Sequence, residues 1–153
     1  MTARVASAHV APEAYRAMMA MQNYVNATGL EHPLLELVKL RASHMNGCAY
    51  CVDMHTKDAR AAGETEQRLY AIPVWRETPF YTDRERAALA WTEAVTAIGH
   101  GGVSDALYDE ALAHFSEREL VELTMAVISI NGWNRLAISF RADVGSYRPV
   151  SQA

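Results

Sequence analysis

Nowhere does the 153-residue chain run to the roughly 20 consecutive apolar residues that a membrane-spanning helix needs. It also lacks a basic face. Its 14 Lys and Arg are scattered and outnumbered by 18 Asp and Glu, giving a net charge of -4. Nucleic-acid binding concentrates positive charge, so neither nucleic acid nor membrane is an expected partner. The opening residues Met1-Thr2-Ala3-Arg4-Val5-Ala6-Ser7 hold no apolar core of a secretory signal, which makes the cytoplasm the expected location. Strand signals are missing too, because β-branched and aromatic residues never gather into alternating runs. Cysteine is scarce, with two in the whole chain. In a reducing compartment two cysteines are seldom structural; at CxxC spacing they point to redox chemistry or to metal.

What is present is helical periodicity. Half the residues are hydrophobic and 21% are charged, as in an ordinary soluble protein. The length fits one all-α domain over 1–153, able to bury roughly 68–70% of its unfolded surface without disulfide staples. After Pro12 a helix is predicted over Glu13–Ala27, and a second from Pro33 to about Met45, broken by Asn46-Gly47. A third runs from about Cys48 to Ala62 with Gly63 as its C-cap. Val74–Tyr81, rich in proline and aromatics, reads as a loop. Thr82-Asp83-Arg84-Glu85 and Ser116-Glu117-Arg118-Glu119 are capping boxes that open helices, and Ser104 caps a short one to about His114. The last helix, Glu117 to about Ala142, is apolar nearly all round from Leu120 to Ile130. Such a helix must be covered on every side, by a central place in the core or by a subunit interface, and a homo-oligomer is expected.

The chemistry concentrates at residues 36–55. Cys48 follows the Asn46-Gly47 break and begins a helix, where free N–H groups and the positive dipole end favour a thiolate. Cys51 lies one turn later on the same face, and His55 lies four residues beyond Cys51. An imidazole so placed can accept the thiol proton, which favours Cys51 as attacking sulfur and Cys48 as its resolving partner. Glu36, on the preceding helix, can meet His55 if the two helices fold back as a hairpin; taken alone it reads rather as a solvated carboxylate like Glu31. His44, Cys48, Cys51 and His55 also make a His-x3-Cys-x2-Cys-x3-His series that suits tetrahedral zinc. Tyr50 can act or merely pack. Met18, Met19 and Met21 read as packing, Trp91 and Trp133 as core or interface anchors, His100 and His114 as surface residues, and Arg141–Arg148 as a surface strap.

The run from Glu36-Leu37-Val38-Lys39-Leu40-Arg41 through Asn46-Gly47-Cys48-Ala49-Tyr50-Cys51 to His55 resembles the core motif of the AhpD-like alkylhydroperoxidases of the carboxymuconolactone decarboxylase superfamily. The likeness extends to Ala59–Gly63, to Thr82–Leu89 and to Asn131-Gly132-Trp133-Asn134-Arg135, covering about residues 13–145. The resemblance implies an AhpD-like helical fold assembling as a homo-oligomer, often a trimer or hexamer. It implies a peroxide substrate attacked by Cys51, a disulfide closed by Cys48, a proton relay through Glu36 and His55, and Tyr50 nearby. Reduction then falls to a dithiol donor such as a lipoyl group or a thioredoxin-like protein. No cofactor or metal is expected, since no haem, flavin or nucleotide motif is needed or present. Decarboxylases of the superfamily lack the cysteine pair. The rival expectations are a zinc-stabilised binding module and a redox-sensing oligomeric protein without turnover.

Overall fold

Every regular element that the computed structural model describes, over residues 3–149, is helical. In order they are α1 (Ser7–Val10), α2 (Pro12–Asn26), α3 (His32–Asn46), α4 (Ala49–Ala61), α5 (Glu66–Ala71), a 3-10 segment (Ile72–Glu77), α6 (Asp83–Thr96), a 3-10 turn (Ile98–His100), α7 (Asp105–Leu112) and α8 (Glu117–Phe140). Both capping boxes form, with Thr82 and Glu85 closing the start of α6 and Ser116 and Glu119 that of α8. Ser104 caps α7 through the Leu107 N–H. Each satisfies backbone donors that the first helical turn leaves without partners.

Two local expectations fail. Part of the stretch expected as a loop is a 3-10 helix: Pro73 sits in its first turn, where its missing N–H costs nothing, and Ile72 and Trp75 are buried. Helix α5, capped by the Thr65 hydroxyl, was not anticipated because six residues are too few to show a period.

The helix surrounded on most sides is α3, not α8. It packs on α4, α6 and α8. One of its faces enters a cluster with Val25, Trp91, Leu123 and Val127, and another a cluster with Ile72, Trp75 and Leu89. Burying both faces takes Glu36 and Lys39 into the interior with the leucines. Helix α8 buries Leu120, Leu123, Val127 and Ile130, yet Val121 stays 61% and Ile128 44% exposed, so this chain alone does not cover it. Against α8 lies α2, where Gly132 admits Met18: a Cβ at Gly132 would stand 2.7 Å from the Met18 Cε. Met18 therefore packs as expected, and Trp91 is buried with its indole N–H donated to Thr124 Oγ1 at 3.0 Å. His100 is exposed, while His114 is half-buried.

Candidate active site

The turn between α3 and α4 builds the sulfur pair. Gly47 takes φ 69°, a left-handed conformation open to glycine at little cost, and Cys48 N–H returns to the Ser43 carbonyl at 3.0 Å. Asn46 Nδ2 donates to Asn134 Oδ1 at 2.8 Å and to Asn131 Oδ1 at 3.0 Å, while Asn134 Nδ2 donates to Ser43 Oγ at 3.0 Å. Thus α8 pins the end of α3. Cys48 becomes the N-cap of α4, its sulfur accepting the Cys51 N–H at 3.3 Å. Cys48 and Cys51 are joined as a disulfide, with Cα atoms 5.3 Å apart.

A cavity of about 680 Å³ opens beside the pair. Cys51, His55, Glu36, Lys39, Tyr50 and Asp58 form its polar part, and Tyr15, Leu35, Trp133 and Phe140 contribute apolar wall. Met19 lies on this wall rather than purely in the packing. Trp133, stacked edge-on against Tyr15, donates its indole N–H to Gln22. Cys48 is not part of the lining, so the two sulfurs are inequivalent although both are buried.

Glu36 is the electrostatic centre. Its Oε2 meets His55 Nδ1 at 2.9 Å and its Oε1 accepts from Lys39 Nζ at 2.7 Å. The exposed His32 stands 3.8 Å from the same Oε1. All of Glu36, Lys39 and His55 are buried. Burial on its own would raise the Glu36 pKa, but the His55 hydrogen bond and charge, with those of Lys39, bring it down to about 2. A carboxyl held there is ionised at neutral pH, and its hydrogen bond fixes the orientation of the His55 imidazole. Lys39 was missed in the sequence, where an i,i+3 Glu–Lys pair looks like a surface pair.

The remaining candidates fall into place around this centre. Burial, then the neighbouring charges, pushes the Tyr50 hydroxyl pKa up, which suits a neutral wall or hydrogen-bond donor. The Arg141–Arg148 strap is real at Tyr147: its hydroxyl donates to Asp58 Oδ1 at 2.7 Å, and its carbonyl accepts from Lys57 Nζ at 3.2 Å. The zinc series is not assembled in this state. Its two sulfurs are bonded to each other, and His44, half-buried with Nδ1 unpaired, does not line the cavity. Among the described residues the group with ligand atoms within 4.8 Å of one another is Glu36, His55 and Asp58.

The comparisons with known proteins bear on the family and the fold. The model of the carboxymuconolactone decarboxylase family matches residues 12–94, which hold both cysteines, Glu36 and His55. The chain belongs to that family. Within it, the chain is 43% identical to the uncharacterised protein YdfG of Bacillus subtilis over 91% of its length and 95% of the relative's. Among solved structures, the AhpD-like family fold is shared with ATU0492 of Agrobacterium tumefaciens, a protein of unknown function provisionally assigned to AhpD antioxidant defence. There the TM-score is 0.91 at 48% identity, covering 97% of this chain and 99% of that one. The debrominase Bmp8 has the same fold at 20% identity and a TM-score of 0.78, over 88% of this chain and 73% of that one. The family includes enzymes, and in this member the Cys48–Cys51 pair is the redox-capable feature of the cavity wall.

Proposed function

We propose that this family member is a thiol-dependent peroxidase, a disulfide oxidoreductase that turns over through Cys48 and Cys51. One observation carries the reading: of the two bonded sulfurs, Cys51 borders a cavity whose wall also holds a buried His55–Glu36 pair. In the reduced protein, His55 accepts the Cys51 thiol proton, and Glu36 steadies the resulting imidazolium. The thiolate attacks the outer peroxide oxygen, the O–O bond breaks, and His55 returns its proton to the departing alkoxide, giving an alcohol and a Cys51 sulfenic acid. Cys48 thiol then displaces water from that sulfenic acid and closes the disulfide. A small dithiol donor, a lipoyl group or a thioredoxin-like protein, restores both thiols by exchange. Tyr50 bounds the peroxide's end of the cavity. The protein acts in the cytoplasm as a homo-oligomer, a trimer or hexamer, joined through α8.

The test is a thiol count on reduced protein mixed with cumene hydroperoxide. Two thiols lost per chain, with no disulfide formed in Cys51→Ser, is the expected result. Unchanged thiols would refute the reading. Thiols lost once but restored by no dithiol donor would leave a redox sensor without turnover.

A further inference from the structure

Two carboxylates face His55, and the chemistry proposed above uses one of them. The first, Glu36, meets the ring's Nδ1 at 2.9 Å, but Lys39 Nζ stands 2.7 Å from its other oxygen and offsets part of its charge. The second is Asp58, three residues beyond His55 on α4, half-buried and on the same cavity wall. An oxygen of Asp58 lies within 4.8 Å of a His55 nitrogen and of a Glu36 oxygen. Its Oδ1 accepts from the Tyr147 hydroxyl at 2.7 Å. Burial, then that hydrogen bond and the Asp58 charge, push the Tyr147 pKa up to about 12. The hydroxyl therefore keeps its proton and goes on holding Asp58 across the physiological range. Lys57, beside Asp58 in sequence, is taken up by Asp53 at 2.8 Å and by the Tyr147 carbonyl. Among the described residues no cationic side chain is bonded to Asp58.

Resting on the reading that Cys51 gives its proton to His55, we infer that Asp58, held by Tyr147, is a positioning carboxylate that stabilises the imidazolium and so the Cys51 thiolate. With Nδ1–H given to Glu36, the proton from Cys51 goes to Nε2. A neutral thiol and imidazole become a thiolate and an imidazolium, and no electron moves. Asp58 attracts the new positive charge and repels the new negative one. The distances decide between them. A ring nitrogen stands 4.8 Å or less from Asp58, whereas Cys51, seven residues back on the same helix, is about 10 Å away along its axis. At equal dielectric the attraction is about twice the repulsion, so Asp58 favours the ion pair. The other groups around the ring do not supply this charge. From α3 there remains His32, exposed and 3.8 Å from Glu36 Oε1. Burial and then neighbouring charges push the Tyr50 hydroxyl pKa up, so it stays neutral, and α2 and α8 bring the rings of Tyr15 and Trp133. The strap after α8 thus reaches the reacting sulfur through three side chains: Tyr147, Asp58 and His55.

The test is the pH profile of Cys51 alkylation by iodoacetamide, an uncharged reagent, in reduced full-length protein carrying Cys48→Ser so that one thiol reacts. Asp58→Asn should slow the reaction about fivefold near pH 6.5 and leave it unchanged above about pH 10, where the thiol ionises without the imidazole. Asp58→Glu should recover much of the rate, and Tyr147→Phe should move the profile the same way by less. Combined with His55→Gln, Asp58→Asn should lose its effect or speed the reaction slightly, because the repulsion alone is left. A merely structural role would change the rate at every pH. Asp58→Ser, also neutral, repeats the measurement should Asp58→Asn fold poorly. A profile in Asp58→Asn that superimposes on the parent's, an equal slowing at all pH values, an equal shift with and without His55, or no shift in Tyr147→Phe would each overturn the inference. Peroxide-driven thiol loss, measured with both cysteines present, separates the two ideas. Thiols consumed while the Asp58→Asn profile stays put sinks the role of Asp58 alone; thiols untouched while the profile moves sinks the peroxidase and leaves Asp58 its role.

Discussion

Replacing Glu36 with glutamine perturbs the most heavily constrained group in the cavity wall. The carboxylate faces Lys39 Nζ at 2.7 Å and His55 Nδ1 at 2.9 Å, and all three side chains are buried. Glutamine keeps the volume and removes the charge, leaving the Lys39 ammonium buried without a counter-ion. Breaking a buried pair in this way costs about 3–5 kcal/mol. The pKa leads to a similar figure: holding Glu36 at about 2 against an ordinary 4.5 corresponds to roughly 3 kcal/mol favouring the folded carboxylate. Because the folded pKa is the lower one, this stability is fully present above about pH 4.5 and is lost as pH falls through about 2, with roughly half gone by pH 3. Glu31, Glu93 and Glu119, whose pKa values are also lowered, remain in both proteins and cancel in the comparison. Urea unfolding of the oxidised proteins should show Glu36→Gln less stable by about 3 kcal/mol at pH 7, and by about half that at pH 3. Adding Lys39→Met should recover much of the loss, since it removes the stranded charge. A deficit under about 0.5 kcal/mol at pH 7, or an equal deficit at both pH values, would refute the reasoning.

Other perturbations follow from the same geometry. In His55→Gln, peroxide-driven thiol loss at neutral pH should fall about a hundredfold, and the apparent pKa of Cys51 alkylation should rise; kinetics matching wild type would remove His55 from the chemistry. Gly47→Ala should cost about 1–2 kcal/mol in urea unfolding, because φ is 69° and open space around the position leaves backbone strain as the whole effect. Light scattering should return a multiple of the chain mass, falling to a monomer in Ile128→Glu; a wild-type monomer would show that the exposed Val121 and Ile128 are not an interface.

Short-range signals in the sequence carried the helices, since a capping box or a left-handed glycine is decided within four or five residues. Thr82–Glu85, Ser116–Glu119 and the Asn46-Gly47 break all formed where expected. The candidate site was legible for the same reason along α4, where Cys48, Cys51 and His55 lie within two turns. Illegible were the features that depend on which face another helix covers. Apolar nearly all round, α8 fitted either a central place or a subunit interface, yet the central helix is α3 although it carries Glu36, Lys39, Arg41 and His44. Asn134 gave no hint by itself that it would be fully buried, holding Ser43 and Asn46 at the base of the sulfur loop.

Lys39 shows why the missed residue matters to the chemistry. On a solvated helix an i,i+3 Glu–Lys pair contributes a few tenths of a kcal/mol and has no bearing on a distant sulfur. Closed off from water at 6% exposure, the same ammonium helps keep Glu36 ionised. Glu36 then has no proton to give and no tendency to take one at neutral pH. In the proposed peroxidase cycle, a proton leaving Cys51 would wait on His55 until the leaving alkoxide claims it. In that proposed cycle the proton's path is one imidazole long, and the carboxylate contributes by orientation and charge. A relay passing through Glu36 would have to protonate transiently a carboxyl whose pKa the His55 and Lys39 contacts hold low.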